Sequence, residues 1–225
     1  MCHTKSNSIY TVVSCQHISN SRSRARPVTS FLGRAMRWFI SDTHFFHKNI
    51  ARYTNGADLV DRHSIIINEW NKVIKQKDVV YVIGDVSFGS FEDTRAIIES
   101  LKGTKILIRG NHDYRFTSKE FIDMGFSDVR DYLFVNFSNA EKVLLSHYPY
   151  AANPFKRWYY RYIKRSPSRD YYEHYARNCG RWLIHGHHHS GPKVRGKMIN
   201  VNVDVNNFKP ISETTLCKIM NARKR

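Results

Sequence analysis

Five short polar clusters in this chain each follow directly on a run of apolar residues, and this arrangement constrains the fold more than any other feature. The runs occupy residues 38–40, 79–83, 105–108, 143–145 and 183–184, and the first is a short run with two aromatic residues. Such runs predict buried strands. Open α/β sheets place their active sites at the carboxyl ends of the strands. The five clusters are therefore predicted to meet at one edge of a sheet.

The clusters contain the residue types that bind divalent metal ions. They read Ser41-Asp42-Thr43-His44, Gly84-Asp85, Gly110-Asn111-His112-Asp113, Ser146-His147 and Gly186-His187-His188-His189. Carboxylate, amide and imidazole ligands without cysteine suit manganese, iron, zinc or nickel better than calcium or magnesium, and they argue against a structural zinc site. Side chains two residues apart on a strand return to the same face, so Asp42 and His44 are predicted to bind one ion together. The two oxygens of Asp85 could bridge two cations.

The order of the clusters, from Asp-x-His to Gly-His-x-His, resembles the calcineurin-like metallophosphoesterases over about residues 38–205. Segments 45–50, 69–71, 81–88 and 202–210 narrow the resemblance to a small bacterial and phage-encoded branch of that superfamily. The resemblance implies an α/β fold: a four-layer α-β-β-α sandwich of two mixed sheets. It also implies hydrolysis of a phosphate ester by a hydroxide formed from water between two metal ions.

The resemblance further implies a role for each clustered residue. The first ion would be bound by Asp42, His44, Asp85 and His189. The second ion would be bound by Asp85, Asn111, His147 and His187. His112 would protonate the leaving group, with Asp113 orienting its ring. The implied cofactor is a pair of divalent metal ions, with manganese favoured and iron, zinc or nickel as alternatives.

Four further residues near the clusters have two possible roles each. His47 and Asn49 are predicted to reach the substrate phosphate, or else to form a turn. His185 and His188 are predicted to lie behind the ligands or at the rim of the site.

Strands and helices alternate in the first half of the predicted domain. Apolar residues recur at helical spacing over residues 65–74, after Asp61 or Ser64 as the predicted N-cap, and a second helix is predicted over residues 91–101. This alternation predicts a largely parallel sheet. Further strands are predicted over residues 132–137, 143–145, 182–184 and 198–205, with few helices between them. The second sheet is accordingly predicted to be more antiparallel.

Charge and composition divide the chain into regions. The net charge is +17, from 36 Lys and Arg against 19 Asp and Glu, which favours a polyanionic partner or substrate, although a solvated basic surface would have the same charge. Residues 1–35 contain no acidic residue and many Arg and Ser, which predicts a disordered basic extension; a transit peptide or an upstream start is the alternative. The metallophosphoesterase domain is predicted to span residues 36–225. Four scattered cysteines and the lack of a long apolar stretch favour a reducing cytoplasmic location without a membrane span.

A segment rich in basic and aromatic residues, 153–182, separates the fourth and fifth clusters. Its cations are Lys156, Arg157, Arg161, Lys164, Arg165, Arg169, Arg177 and Arg181. Its rings are Phe155, Trp158, Tyr159, Tyr160, Tyr162, Tyr171, Tyr172 and Tyr175. Cations for phosphates and flat rings for bases are the two ingredients of single-strand nucleic acid binding. The alternative is a pair of surface helices whose rings cover the sheet.

The sequence as a whole predicts a metal-dependent phosphoesterase acting on phosphodiesters or phosphomonoesters. A nucleotide or single-stranded nucleic acid is the favoured substrate, and a cyclic nucleotide or another small phosphodiester is the alternative. A nucleic-acid-binding module without catalysis is the alternative from another class. The sequence leaves the oligomeric state open.

Overall fold

The computed structural model describes residues 35–50, 59–151 and 178–223. The chain divides into two compact units, Thr29–Pro149 with Gly180–Arg225, and Met1–Val28 with Tyr150–Cys179. All strands and helices below belong to the former. In the latter, the Tyr150 hydroxyl lies 3.3 Å from the Cys179 sulfur. The predictions for residues 1–35 and for most of the 153–182 segment fall outside the described residues and stay predictions.

The first sheet is mostly parallel, as the sequence predicted. Its strands are β1 (Arg37–Ile40), β2 (Val79–Val82), β3 (Thr104–Ile108), β4 (Phe126–Arg130) and β10 (Ile211–Ser212). They lie in the order β10-β1-β2-β3-β4, and only β10 pairs in the antiparallel sense. Parallel neighbours need long crossover connections, and α1 (Leu59–Val73) and α2 (Phe91–Ser100) lie in two of them.

The second sheet is mixed and has more antiparallel pairing than the first, which confirms the prediction. Its strands are β5 (Tyr132–Asn136), β6 (Lys142–Ser146), β7 (Leu183–His185), β8 (Val194–Arg195) and β9 (Met198–Asn200). They lie in the order β5-β6-β7-β9-β8. The pairs β5–β6 and β8–β9 are antiparallel, whereas β6–β7 and β7–β9 are parallel. The parallel pairs bring the carboxyl ends of β6 and β7 to the same edge.

Several helices begin after a residue whose side chain caps the helix N-terminus. The helix α2 begins with a capping box in which Ser90 and Asp93 exchange hydrogen bonds with each other's backbone. The helices α3 (Ser118–Asp123) and α4 (Glu213–Ala222) have Thr117 and Ser212 as N-caps. The predicted cap of α1 was wrong, because the helix begins at Leu59 and therefore contains both Asp61 and Ser64.

Two hydrophobic clusters account for the layers. Because β2 is covered on both faces, successive side chains enter different clusters: Val80 and Val82 pack toward the helices, and Tyr81 packs toward the second sheet. On the helix side lie residues such as Trp70 of α1 and Phe121 of α3. These contacts confirm the predicted fold class of two mixed sheets with helices. None of the helices within the described ranges combines the length and apolar content needed to cross a membrane.

The two sheets are joined at the edge where the polar clusters lie. Ser41, just beyond β1, donates its N–H to the carbonyl of Val201, and Val203 donates to the carbonyl of Ser41, at 3.2 and 3.1 Å. This bridge continues the first sheet into the segment after β9. The carboxyl ends of strands from both sheets therefore face one shared site.

Candidate metal centre

The backbone leaves the extended conformation as soon as each strand ends. Asp42, His44, Asp85 and His187 have φ values of 57, 46, 56 and 68°. Non-glycine residues rarely adopt this left-handed region, and each such residue costs on the order of 1–3 kcal/mol. Hydrogen bonds between the strand ends hold it in place, including Asp42 N–H to the Gly84 carbonyl at 2.9 Å and His44 N–H to the Asp85 carbonyl at 3.1 Å. Strand alternation, on which the pairing of Asp42 with His44 was predicted, is therefore not what brings these two side chains together.

The first group of candidate ligands consists of Asp42, His44 and His189. One ligand atom from each lies within 4.8 Å of the others. The Nε2 atoms of His44 and His189 are 3.1 Å apart, and each is 3.8 Å from Oδ1 of Asp42. Asp42 is completely buried, and its carboxylate also accepts the His187 N–H at 3.0 Å. We call these three residues group one.

The second group consists of Asp85, His147 and His187, whose ligand atoms also lie within 4.8 Å of one another. His147 Nε2 is 3.4 Å from Asp85 Oδ2 and 3.2 Å from His187 Nδ1. The amide oxygen of Asn111 completes the cluster, at 3.1 Å from both imidazole nitrogens. We call these four residues group two.

A single oxygen lies between the two groups. Asp85 Oδ2 is 3.7 Å from His44 Nε2 in group one and 3.4 Å from His147 Nε2 in group two. Its partner oxygen, Oδ1, accepts the His112 N–H at 2.9 Å. The structure thus brings together all seven residues that the sequence predicted as ligands, and Asp85 occupies the shared position. Their role as ligands stays a prediction.

The protonation tendencies of group two come from one buried pair of opposite charges. Burial lowers the pKa of His147, but the charge of Asp85 overrides it and raises that pKa to about 10. Burial likewise raises the pKa of Asp85, and the charge of His147 overrides it, so the net shift is downward. Burial and the charge of His147 lower the pKa of His187 to about 3. A divalent cation would take the place of the His147 proton against Asp85, because a metal-binding imidazole must be neutral.

In group one, burial sets the direction of the pKa shifts of Asp42 and His44. Burial raises the pKa of Asp42 to about 6, with the charge of His147 opposing the shift and that of Asp85 adding to it. Burial lowers the pKa of His44. Two carboxylates buried near each other repel unless positive charge lies between them. This repulsion and the convergent ring nitrogens fit a pair of divalent ions.

Two glycines make the close approach of these groups possible. A Cβ atom at Gly110 would lie 2.2 Å from Oδ1 of Asp85, and one at Gly186 would lie 2.3 Å from Oδ2 of Asp42. Neither distance is sterically tolerable, so a larger residue would displace the carboxylate. The lack of a side chain at Gly186 therefore permits the close approach of its backbone to Asp42.

Two of the ring orientations are set by the nitrogen that faces away from the groups. His147 Nδ1 lies 3.0 Å from the carbonyl of Ile83, which accepts its proton and leaves Nε2 toward group two. His189 Nδ1 lies 2.7 Å from Oδ2 of Asp204. Asp204 was not predicted as a site residue, although it lies in the 202–210 segment that narrowed the family resemblance.

His112 lies at the mouth of the site. Its side chain is 45% exposed, and its Nε2 is 4.0 Å from Asp85 Oδ2. Its ring packs 4.8 Å, between centroids, from the ring of Phe88. This position leaves the imidazole beside the candidate metal centre yet open to a substrate, as a proton donor to a leaving group requires.

Asp113 has a different position from the predicted one. Its buried carboxylate accepts the N–H groups of Asp85, Val86 and Gly110 at 2.8, 2.9 and 2.7 Å. These bonds tie the end of β2 to the end of β3, and none of its hydrogen bonds within the described ranges goes to the ring of His112. Burial and the charge of Asp85 raise its pKa. We therefore correct its predicted role: Asp113 shapes the backbone that carries Asp85.

The predictions for His47, Asn49, His185 and His188 have mixed outcomes. The ring of the half-buried His47 lies 5.6 Å from that of His44, whereas Asn49 donates its backbone N–H to His47 Nδ1 at 3.2 Å, as in the alternative turn. His185 is buried behind the groups, with Nδ1 2.8 Å from the Gly186 carbonyl, and burial lowers its pKa to about 4. His188 is exposed at the rim.

Comparison with known proteins agrees with this geometry. The sequence profile of the calcineurin-like phosphoesterases matches residues 37–202, which contain all seven candidate ligands. The chain belongs to the calcineurin-like phosphoesterase family.

Relatives of this phosphoesterase occur in archaea, bacteria and phages. It is 32% identical over 198 residues to an uncharacterized protein of Methanocaldococcus jannaschii, with 83% of this chain and 92% of that protein covered. It is 30% identical over 193 residues to the Gene 66 protein of Mycobacterium phage L5, with 74% and 86% covered. A crystal structure of a protein of unknown function from Aquifex aeolicus superposes with a TM-score of 0.61 at 33% identity, covering 83% of this chain and all of that one.

Proposed function

We propose that this phosphoesterase hydrolyses phosphodiesters or phosphomonoesters with a dinuclear metal centre bound by groups one and two. The observation that carries the proposal is the position of Asp85 Oδ2, 3.7 Å from a nitrogen of one group and 3.4 Å from a nitrogen of the other. A carboxylate oxygen in that position would be shared by two cations. We favour manganese, with iron, zinc or nickel as alternatives, because the ligands are oxygen and imidazole without cysteine.

The residues of the chain divide the work of such a reaction. Two divalent ions, when bound, supply an activated water and neutralise charge on the phosphate. Asp42 and Asp85 contribute the buried negative charge that retains the ions. His112 donates a proton to the departing oxygen, since its ring is exposed beside Asp85. The half-buried ring of Phe88 packs against the rings of both His112 and His47, with centroid distances of 4.8 and 4.2 Å.

A screen of metals against substrates tests this function. Metal-stripped protein would receive manganese, iron, zinc or nickel and would then be given nitrophenyl phosphodiester, nitrophenyl phosphate, cyclic nucleotides, DNA and RNA. We expect turnover of the nitrophenyl diester only with added metal. Binding of nucleic acid without turnover of any ester under any metal would instead support the binding module.

For the substrate we favour nucleotides or single-stranded nucleic acid, and the support is the composition of the 153–182 segment. Affinity for a single strand should fall by about 0.7 log units per log unit of salt for each phosphate contact. Replacing Arg161, Lys164 and Arg165 with Ala should reduce that slope. Replacing Tyr159 with Ala should cost about 1–3 kcal/mol per stacked base without changing the slope. A wild-type protein without affinity for single strands at low salt would favour a cyclic nucleotide or another small phosphodiester.

A further inference from the structure

A buried arginine and an aspartate contact residues of group one. Arg62 belongs to α1 and its side chain is completely buried. It forms an ion pair with Asp204, whose side chain is only 5% exposed. The guanidinium also donates to the backbone carbonyl of Asp42 at 3.3 Å and lies 5.2 Å from the centroid of the Phe208 ring. One cation thus contacts both an acid and the backbone of a candidate metal ligand.

The acid in turn orients a candidate ligand. Asp204 Oδ2 is 2.7 Å from Nδ1 of His189, so the ring donates a hydrogen bond to the carboxylate. This leaves Nε2 of His189 facing His44, whose Nε2 is 3.1 Å away. The Asp204 N–H is bound by the side-chain oxygen of Asn202 at 2.8 Å, which fixes the backbone of the acid. A carboxylate behind a metal-binding histidine sets the tautomer and raises the basicity of the ring.

A charged residue is seldom buried completely, because the loss of hydration must be offset by hydrogen bonds and opposite charge. A hydrophobic residue would fill the position of Arg62 at less cost if packing alone were needed. The contacts of Arg62 are instead directed at Asp204 and at Asp42, one behind His189 and one within group one. This placement indicates a role in the geometry of the site.

We propose that Arg62 and Asp204 are positioning residues that set the metal affinity of group one and leave that of group two unchanged. The inference rests on the proposed function in that it takes group one as a metal site. It extends that function by assigning two residues outside the candidate ligands and by tying group one to α1. The two groups should therefore respond separately to substitution behind them.

The experiment measures metal binding directly. Metal-stripped wild-type protein and the Asp204→Asn variant would be titrated with Mn²⁺ against a competing chelator dye, and the bound Mn²⁺ would be observed by electron paramagnetic resonance. Asparagine keeps the size and an acceptor oxygen but removes the charge. We expect one of the two binding steps to weaken by about 10- to 100-fold, the usual effect of losing such a partner, while the other step is unchanged. The spectrum at intermediate metal should then change from coupled to isolated Mn²⁺.

A matched control separates this role from the general loss of a buried acid. Glu213 is also buried and paired with an arginine, Arg37, and it accepts the Ser138 N–H. Arg37 begins β1, whereas Asp42 follows the other end of that strand. Glu213→Gln should leave both Mn²⁺ steps unchanged even if it lowers the melting temperature.

Other outcomes would overturn the inference or the function separately. Equal weakening of both steps in Asp204→Asn, or weakening of neither, would overturn the inference. If Asp204→Asn does not fold, Arg62→Lys keeps the charge but loses the forked contact, and it should weaken the same single step; an unchanged isotherm would then overturn the inference. A wild-type protein that binds one ion contradicts the proposed dinuclear centre, and the inference is then decided by whether Asp204→Asn weakens that ion.

Discussion

Groups one and two resemble each other in ligand chemistry but differ in what stands behind them. In group two, His147 is held by the backbone carbonyl of Ile83, and the segment carrying Asp85 is held by hydrogen bonds that its backbone N–H groups donate to Asp113. In group one, His189 is held by the side chain of Asp204. The Nδ1 atom of His44 is buried and has no hydrogen-bond partner within the described ranges.

This difference matters for how each group would respond to change. The ring of His147 is oriented by a backbone carbonyl, which is present whatever side chain occupies that position, and the Asp113 carboxylate holds the backbone of Asp85 and not the ring of a ligand. The support of group one depends on two specific charged side chains, and a single substitution removes it. Group one should therefore be the half of the centre whose metal affinity is more easily altered.

The largest loss of metal binding and turnover is expected on substitution of Asp85, the residue that both groups share. Asp85→Asn removes a charge and one strong acceptor between the two groups. Elemental analysis should therefore show that both ions are lost. Turnover should fall by more than the about 10²–10⁴-fold expected for loss of a general acid. Asp128→Asn, which changes a partly exposed acid paired with Arg130, is the control. Two ions at full occupancy in Asp85→Asn would rule out the bridging assignment.

The second largest effect should be a loss of turnover without any loss of metal from either group. His112→Ala removes the exposed imidazole at the mouth of the site, and turnover should fall by about 10²–10⁴-fold. Both ions should stay bound, because only the backbone N–H of His112 contacts Asp85 closely. The loss should shrink for esters with a very acidic leaving group, which departs without a proton. An equal loss on good and poor leaving groups would contradict this role.

Removal of metal should destabilise the whole domain to a smaller extent. Ligands that bind only the folded state stabilise it by about 2.7 kcal/mol at a concentration of 100 times the dissociation constant. Chelation should therefore lower the melting temperature, and added Mn²⁺ should restore it. Because Asp204 supports group one and not group two, Asp204→Asn should reduce the rise in melting temperature on adding Mn²⁺ without abolishing it. A melting temperature indifferent to chelator and metal would contradict the dinuclear centre.

The smallest effects should come from the two glycines, which test the groups in turn. Gly186→Ala would push Asp42, whereas Gly110→Ala would push Asp85. Overpacking of this kind costs about 1–3 kcal/mol. Metal titrations should show Gly186→Ala weakening one binding step and Gly110→Ala weakening both. Gly180, where a Cβ would meet nothing within 4 Å but φ is +73°, is the control for backbone strain alone. The reverse pattern would contradict the assignment of Asp42 to group one alone.

The strands and the convergence of the site could be predicted from the sequence because both depend on local patterns. A short apolar run followed by Asp, Asn or His marks a strand end, and parallel strands bring such ends to one edge. The prediction reached β1, β2, β3, β5, β6 and β7 with bounds shifted by a residue or so, and it made β9 too long. It missed β4, β8, β10, α3 and α4, which are short or lie outside the regions where apolar runs and polar clusters alternate. The resemblance implied two mixed sheets, but the strand order of the second sheet was not predicted, because it depends on the path of the chain between strands.

The sequence by itself determined which seven residues could meet and which metals would suit them, because few side chains bind divalent ions and each stands at a strand end. Only the tertiary structure decided how they meet. The left-handed backbone at Asp42 and His44, in place of strand alternation, comes from hydrogen bonds between neighbouring strand ends. Asp113 binds backbone amides, which every residue possesses and no motif reveals. Arg62, His189 and Asp204 lie far apart in the chain, and the packing of α1 against the sheet brings their charges together.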